Sequence, residues 1–143
     1  MSPLQQLIDW ANANDGMLQV VAMLSAAPVI NKRPLEGIPE LERSIALSPK
    51  GPALGFWLYA LGSGYLLAGD LEKAHEQFQR SVKYDPKFAF SYLRLGWLDQ
   101  VQGRSAEAAP HFARAKELLP DLTSEKAAVM LGQTEQDAGQ FPL

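Results

Sequence analysis

A self-match at an offset of 34 residues constrains this chain more than any other feature. At that offset Leu61-Gly62 falls on Leu95-Gly96, Gly69 on Gly103, Ala74 on Ala108, Phe78 on Phe112 and Pro86 on Pro120. A third, partial copy is expected at Leu131-Gly132 and Gly139, displaced by 36 from Leu95-Gly96 and Gly103. Upstream, Leu41-Glu42-Arg43-Ser44-Ile45 with Pro49 echoes Phe78-Gln79-Arg80-Ser81-Val82 with Pro86, at an offset of 37. So many unlike residues do not coincide by chance. A repeated unit of this length cannot bury both its faces alone, so stacking must make the core.

Each copy reads as two helices. Over residues 53–68 the apolar positions Leu54, Trp57, Leu58, Leu61, Tyr65 and Ala68 recur at helical spacing. Gly69 is placed to end that helix, because glycine enters the left-handed conformation without a Cβ clash. Asp70 is placed to cap the next one, whose buried stripe is Leu71, Ala74, Phe78 and Val82, and Pro86 closes it. The same punctuation predicts helices over 88–102 and 105–118, with Gly103 between them and Pro120 after. Gly62 and Gly96 fall inside the predicted helices, where glycine costs about 1 kcal/mol relative to alanine. That cost implies a neighbour too close for a Cβ, with Phe78 and Phe112 filling the space and Ala74 and Ala108 allowing close approach from the second helix. No strand is predicted.

The ends are less regular. Ser2-Pro3 is a helix start, with Leu4, Leu7, Ile8 and Ala11 on one face and Asn14-Asp15-Gly16 as a stop. A short helix is expected over 17–26, a loop over 28–37 on Pro28, Pro34 and Gly37, and a helix over 38–48. A last helix over 124–138 is expected to cap the array, its outer face kept wet by Gln133, Glu135 and Gln136. The chain then reads as one domain. Its parts are N-terminal helices and loop over 1–36, a degenerate half-repeat over 37–52, repeats over 53–86 and 87–120, and a capping helix over 121–143.

Composition removes most chemistry. The 143 residues are 47% hydrophobic and 20% charged with a net charge of −3, which suits a soluble globular domain. Neither half has the basic excess that nucleic-acid binding needs. Without cysteine there is no disulfide framework, thiolate zinc site, iron–sulfur cluster or cysteine nucleophile. No apolar run approaches the ~18 residues of a membrane span, and Met1-Ser2-Pro3-Leu4 lacks the pattern of a secretion signal. A cytoplasmic location is expected. His75 and His111 sit in no metal-ligand spacing, the Gly62-x-Gly64 pair lies mid-helix after no strand, and Glu72 and Glu76 share a solvated helix face. No catalytic residue, metal or cofactor is expected.

These residues resemble the tetratricopeptide repeat. Its pattern stands here as Leu58-x2-Leu61-Gly62-x2-Tyr65, Ala74-x3-Phe78 and Pro86, and again as Tyr92-x2-Leu95-Gly96-x2-Asp99, Ala108-x3-Phe112 and Pro120. The resemblance covers residues 53–122, extending weakly to 37–50 and 124–140. It implies an all-α, right-handed superhelical stack of antiparallel helix pairs, about seven or eight helices in all. It further implies a non-enzymatic module that binds a peptide or protein segment in a concave groove lined by first helices. Helical spacing places Phe56, Tyr59, Ser63 and Leu67 on that face, then Phe90, Arg94, Trp97 and Val101, and finally Lys126, Val129 and Gln133. Aromatic and arginine side chains together suit a binding hot spot. Repeats that clamp chaperone C-termini use a lysine and two asparagines on first helices; here Tyr59, Ser63, Phe90 and Trp97 occupy the comparable faces, leaving only Arg94 and Lys126 as cations, so that subtype is disfavoured.

A narrower resemblance rests on Ile45-Ala46-Leu47-Ser48-Pro49, Phe56-Trp57-Leu58, Leu66-Leu67-Ala68-Gly69 and Gly103-Arg104 with Glu107-Ala108. It is similar to repeat regions of bacterial class III nucleotide cyclases and related regulatory proteins. This implies a regulatory or oligomerising segment of a larger signalling protein. A homo-oligomer is also expected, because a short array with an apolar N-terminal helix leaves surface to cover.

Overall fold

A glycine facing a phenylalanine ring sets the geometry of both helix pairs. The computed structural model describes residues 34–47 and 54–143; the helices expected over 3–14 and 17–26 lie outside them. Among the described residues the order is α1 (Pro34–Leu47), α2 (Leu54–Leu67), α3 (Leu71–Tyr84), α4 (Ala89–Val101), α5 (Ser105–Leu118), α6 (Ser124–Met130) and a 3-10 helix (Glu135–Gln140). They include no strand, so the described chain is all-α. Two compact units divide the chain, Met1–Tyr84 and Asp85–Leu143.

In the first unit α2 packs against both α1 and α3. A Cβ on Gly62 would lie 2.8 Å from Cε1 of Phe78, closer than packed atoms tolerate. The ring therefore occupies the space that a side chain would take, and Ala74 and Phe78 are both fully buried. Ser81, also fully buried, donates its hydroxyl to the Gly55 carbonyl at 2.7 Å, a second tie between α2 and α3. Asp70 caps α3 as expected, its carboxylate accepting from the Lys73 N–H at 3.1 Å. Ala68 and Leu71, placed by spacing on the apolar stripe, are exposed. Residues 34–37, expected within a loop over 28–37, belong instead to α1, which begins at Pro34; the rest of that expected loop lies outside the described residues. Proline at a first helical position loses no hydrogen bond that the helix could have made.

In the second unit α4 and α5 repeat the arrangement. A Cβ on Gly96 would lie 2.8 Å from Cε1 of Phe112, and Ala108 and Phe112 are buried beneath it. Leu93, Leu95 and Leu98 fill the rest of this core.

The expected helix over 124–138 stops instead at Met130. Gly132 takes φ +78°, like Gly69 at +85° and Gly103 at +80°. All three close their helices alike. The N–H after the glycine reaches back to a carbonyl, Asp70 to Tyr65 at 2.9 Å, Arg104 to Asp99 at 2.7 Å and Gln133 to Ala128 at 2.8 Å. Gly132 is thus the counterpart of the capping glycines. Its letter match to Gly96 does not carry the packing role of Gly96. Gly139 lies in the 3-10 helix and is no counterpart of Gly103, and Gln133 stands beyond the end of α6.

Candidate interaction surface on the first helices

In the first unit, the side chains expected on the α2 face are partly drawn into the core. Phe56 is 5% exposed, its ring 6.0 Å from Tyr59, which lies 5.8 Å from Phe78. Ser63 donates its hydroxyl to the Tyr59 carbonyl at 2.9 Å, inside its own helix. Tyr59 and Ser63 are half-buried and Leu67 is exposed, so these three offer the accessible part of the face.

In the second unit, the α4 face is met by the chain's own C-terminal stretch. Arg94 is only 9% exposed; its Nη2 donates to the Leu131 carbonyl at 2.8 Å, and its guanidinium lies 5.0 Å from the Trp97 ring centre. That stacking is favourable for a cation over an indole face. Its Nε is buried with no acceptor, and no carboxylate pairs with it among the described residues. Trp97, half-buried, donates Nε1–H to Oε1 of Gln140 at 2.6 Å, and the same oxygen accepts from Nε2 of Gln133 at 3.1 Å. Phe141 follows, fully buried, edge-on to Phe112 at 6.2 Å, its carbonyl accepting from the Ser124 hydroxyl at 2.5 Å.

The remaining expected positions are more open. Phe90 is half-buried against Phe88 at 5.7 Å. Val101 is 48% exposed, and Lys126 is exposed with Nζ 3.4 Å from the Asp121 carbonyl. Sequence reasoning missed Gln140 and Phe141. An isolated aromatic after a polar stretch carries no period that could have marked it.

Asp99 stands where the other copy of the repeat pattern has a tyrosine. It is almost fully buried and accepts from Nε and Nη2 of Arg104 at 3.0 and 2.8 Å, with Nε2 of His111 at 3.8 Å. In the first repeat the same position is Tyr65, whose hydroxyl donates to Glu42 at 2.6 Å. That hydrogen bond to a carboxylate, with burial and the nearby Glu42, Asp70 and Glu76 charges, pushes the Tyr65 phenol up to about 12. Among the described residues no group of three or more histidine or acidic side chains could hold a metal, and no helix is long and apolar enough to cross a membrane.

Residues 55–88 match the family model of the tetratricopeptide repeat. Residues 55–88 are thus one tetratricopeptide repeat by sequence. A TPR repeat-containing protein of Pseudomonas aeruginosa is 41% identical over 68 residues, 48% of this chain and 62% of that protein. The Protein O-mannosyl-transferase TMTC1 of Mus musculus is 27% identical over 105 residues, 73% of this chain but 11% of its own length. Among solved structures, MamA (41-end) from Desulfovibrio magneticus RS-1 superposes with a TM-score of 0.60 at 29% identity, covering 66% of this chain and 51% of that one. This chain thus spans only part of the length of each of these relatives. The matched segment 55–88 contains the Gly62–Phe78 contact of the first helix pair, and the second pair repeats that contact.

Proposed function

We propose that these tetratricopeptide repeats form a non-enzymatic interaction module that binds a peptide or protein segment along the concave faces of its first helices. Tyr59, Ser63, Arg94, Trp97, Val101 and Lys126 are its contact residues. The observation that carries this reading is the occupied α4 face. Arg94 and Trp97 there already hold a short irregular segment by a backbone carbonyl, a side-chain amide and an adjoining buried phenylalanine. A surface that grips its own chain by these means has the donors and the aromatic contact that peptide recognition uses.

Selection of binders from a displayed peptide library, followed by titration against Tyr59→Ala and Trp97→Ala chains, tests it. At least one variant should lose ~2 kcal/mol or more of binding while keeping its helicity. Binders indifferent to both variants would place the contact elsewhere.

A second reading, a regulatory or oligomerising segment of a larger protein such as a nucleotide cyclase, draws support from the small share of the mannosyl-transferase that the repeats match. The mass of the natural gene product and light scattering at micromolar concentration separate it from the first.

A further inference from the structure

We propose that the Arg94–Trp97 face of α4 is a recognition site held closed by residues 131–141, and that its ligand is a peptide segment bearing an acidic side chain followed directly by an aromatic one. The proposal rests on the interaction-module reading and specifies its ligand.

Three observations carry it. The closing segment is anchored at its two ends by the buried Leu131 and Phe141, but none of the residues of the 3-10 helix between them is buried. The backbone bonds at its ends are short-range, Asp137 N–H to the Thr134 carbonyl and Phe141 N–H to the Ala138 carbonyl, the Gln140 side chain is held by Trp97 of α4, and the helix starts beyond the left-handed turn at Gly132. Elements with so little burial open at a fraction of the global unfolding free energy. The segment also shows what the site accepts. Two consecutive residues are engaged, the Gln140 amide oxygen by Trp97 and the Phe141 ring by Phe112.

Arg94 supplies the third observation. A guanidinium nine-tenths buried is ordinarily matched by a carboxylate, and this one has a carbonyl, an indole face and an Nε without an acceptor. Gln140 brings an acceptor to Trp97 but no charge. A glutamate in the same position accepts from the indole N–H as the amide does and adds a negative charge beside the Arg94–Trp97 stack. Charge-assisted bonds are shorter and stronger than neutral ones. The resident segment is thus a neutral, weaker version of the ligand, and a partner gains the difference after displacing it.

The test uses the full chain and a fluorescein-labelled peptide of residues 133–143, made with the native sequence and with Gln140→Glu. The site is emptied in the chain by Gln140→Ala with Phe141→Ala. The acidic peptide should bind the emptied chain about tenfold tighter than the native peptide. The emptied chain should bind about tenfold tighter than the unaltered one. Adding Trp97→Ala should abolish both effects. Equal binding of the two peptides, or no gain on emptying, overturns the proposal. If the emptied chain loses helicity, Gln140→Glu within the otherwise unaltered chain decides: a raised Tm, lost again with Arg94→Met, supports the site, and a lowered Tm overturns it. A dimer that exchanges residues 131–143 and takes up no peptide also overturns it, in favour of a second copy as occupant. Library-selected binders that depend on Tyr59 would survive any of these failures, which keeps the interaction reading separate from this ligand.

Discussion

In the first helix pair Gly62 meets Phe78, and in the second Gly96 meets Phe112, with the same 2.8 Å clearance for an absent Cβ. Around that shared contact the two pairs differ. Tyr65 of the first reaches α1 through Glu42, whereas Asp99, its counterpart, is buried against Arg104 and His111 of its own pair. Asp70 caps α3 with its side chain, whereas Arg104, its counterpart, gives α5 no side-chain cap and turns to Asp99 instead. Ala60 and Ser63 become Arg94 and Trp97. The comparison teaches where the repeat is rigid. The ring-on-glycine contact fixes how two helices of one pair approach, while the surrounding positions adapt to what each pair meets, α1 in one case and the folded-back chain end in the other.

The largest effect should come from emptying the shared contact. Phe78→Ala and Phe112→Ala each remove a ring that is 0% and 2% exposed, and each should cost ~3–5 kcal/mol in urea unfolding. If the contact serves both pairs equally, the two losses agree. A loss confined to one of them breaks the equivalence.

Overfilling should cost less. Gly62→Ala and Gly96→Ala place a methyl where the ring stands, and each should lose ~1–3 kcal/mol. Combining Gly96→Ala with Phe112→Leu should recover part of that loss, because leucine can withdraw from the added carbon. Strict additivity in this double-mutant cycle would mean that the two positions do not touch.

The next pair of variants sharpens the difference between the repeats. Arg104→Ala takes the arginine partner from a nearly buried carboxylate; because the arginine side chain is 45% exposed, the cost should be ~1–2 kcal/mol. Asp70→Ala removes one helix cap and should cost ~1 kcal/mol or less. Thermal melts of both read the order directly. A larger loss at Asp70 would mean that the second repeat gains nothing from its ion pair.

The helices over 54–118 were legible because glycine and proline punctuate each apolar stripe at a fixed period. The side chains on the first-helix faces were less so, for a physical reason. In α2 apolar residues lie nearly all round the helix, so spacing alone does not say which side meets the core. Phe56 reads equally well as a groove residue, yet it is buried, and Arg94 is covered by a segment whose polar letters suggested a wet outer face. The ending after Met130 escapes the periodic pattern because Leu131-Gly132 repeats two letters of Leu95-Gly96 without a phenylalanine to receive the glycine. The capping rule applied to Gly69 and Gly103 would have found it.

The smallest effect concerns the pair Tyr65 and Glu42, present in the first repeat only. The phenol is raised from 10.0 to about 12 in the folded chain, first by its hydrogen bond to Glu42 and then by burial and nearby carboxylates. A folded-state pKa above the unfolded one means that the native state holds this proton more tightly. The bond's contribution is therefore complete below pH ~10, where both states are protonated, and is lost as pH rises through about 12. Absorbance at 295 nm should show one tyrosine ionising about two pH units above the ordinary range, and Glu42→Gln should bring it down. Tyr65→Phe should remove that late step and reduce stability slightly at pH 7, while Tyr92→Phe in the second repeat leaves the step in place. A late tyrosine that survives Tyr65→Phe would place the raised phenol elsewhere and erase this distinction between the two repeats.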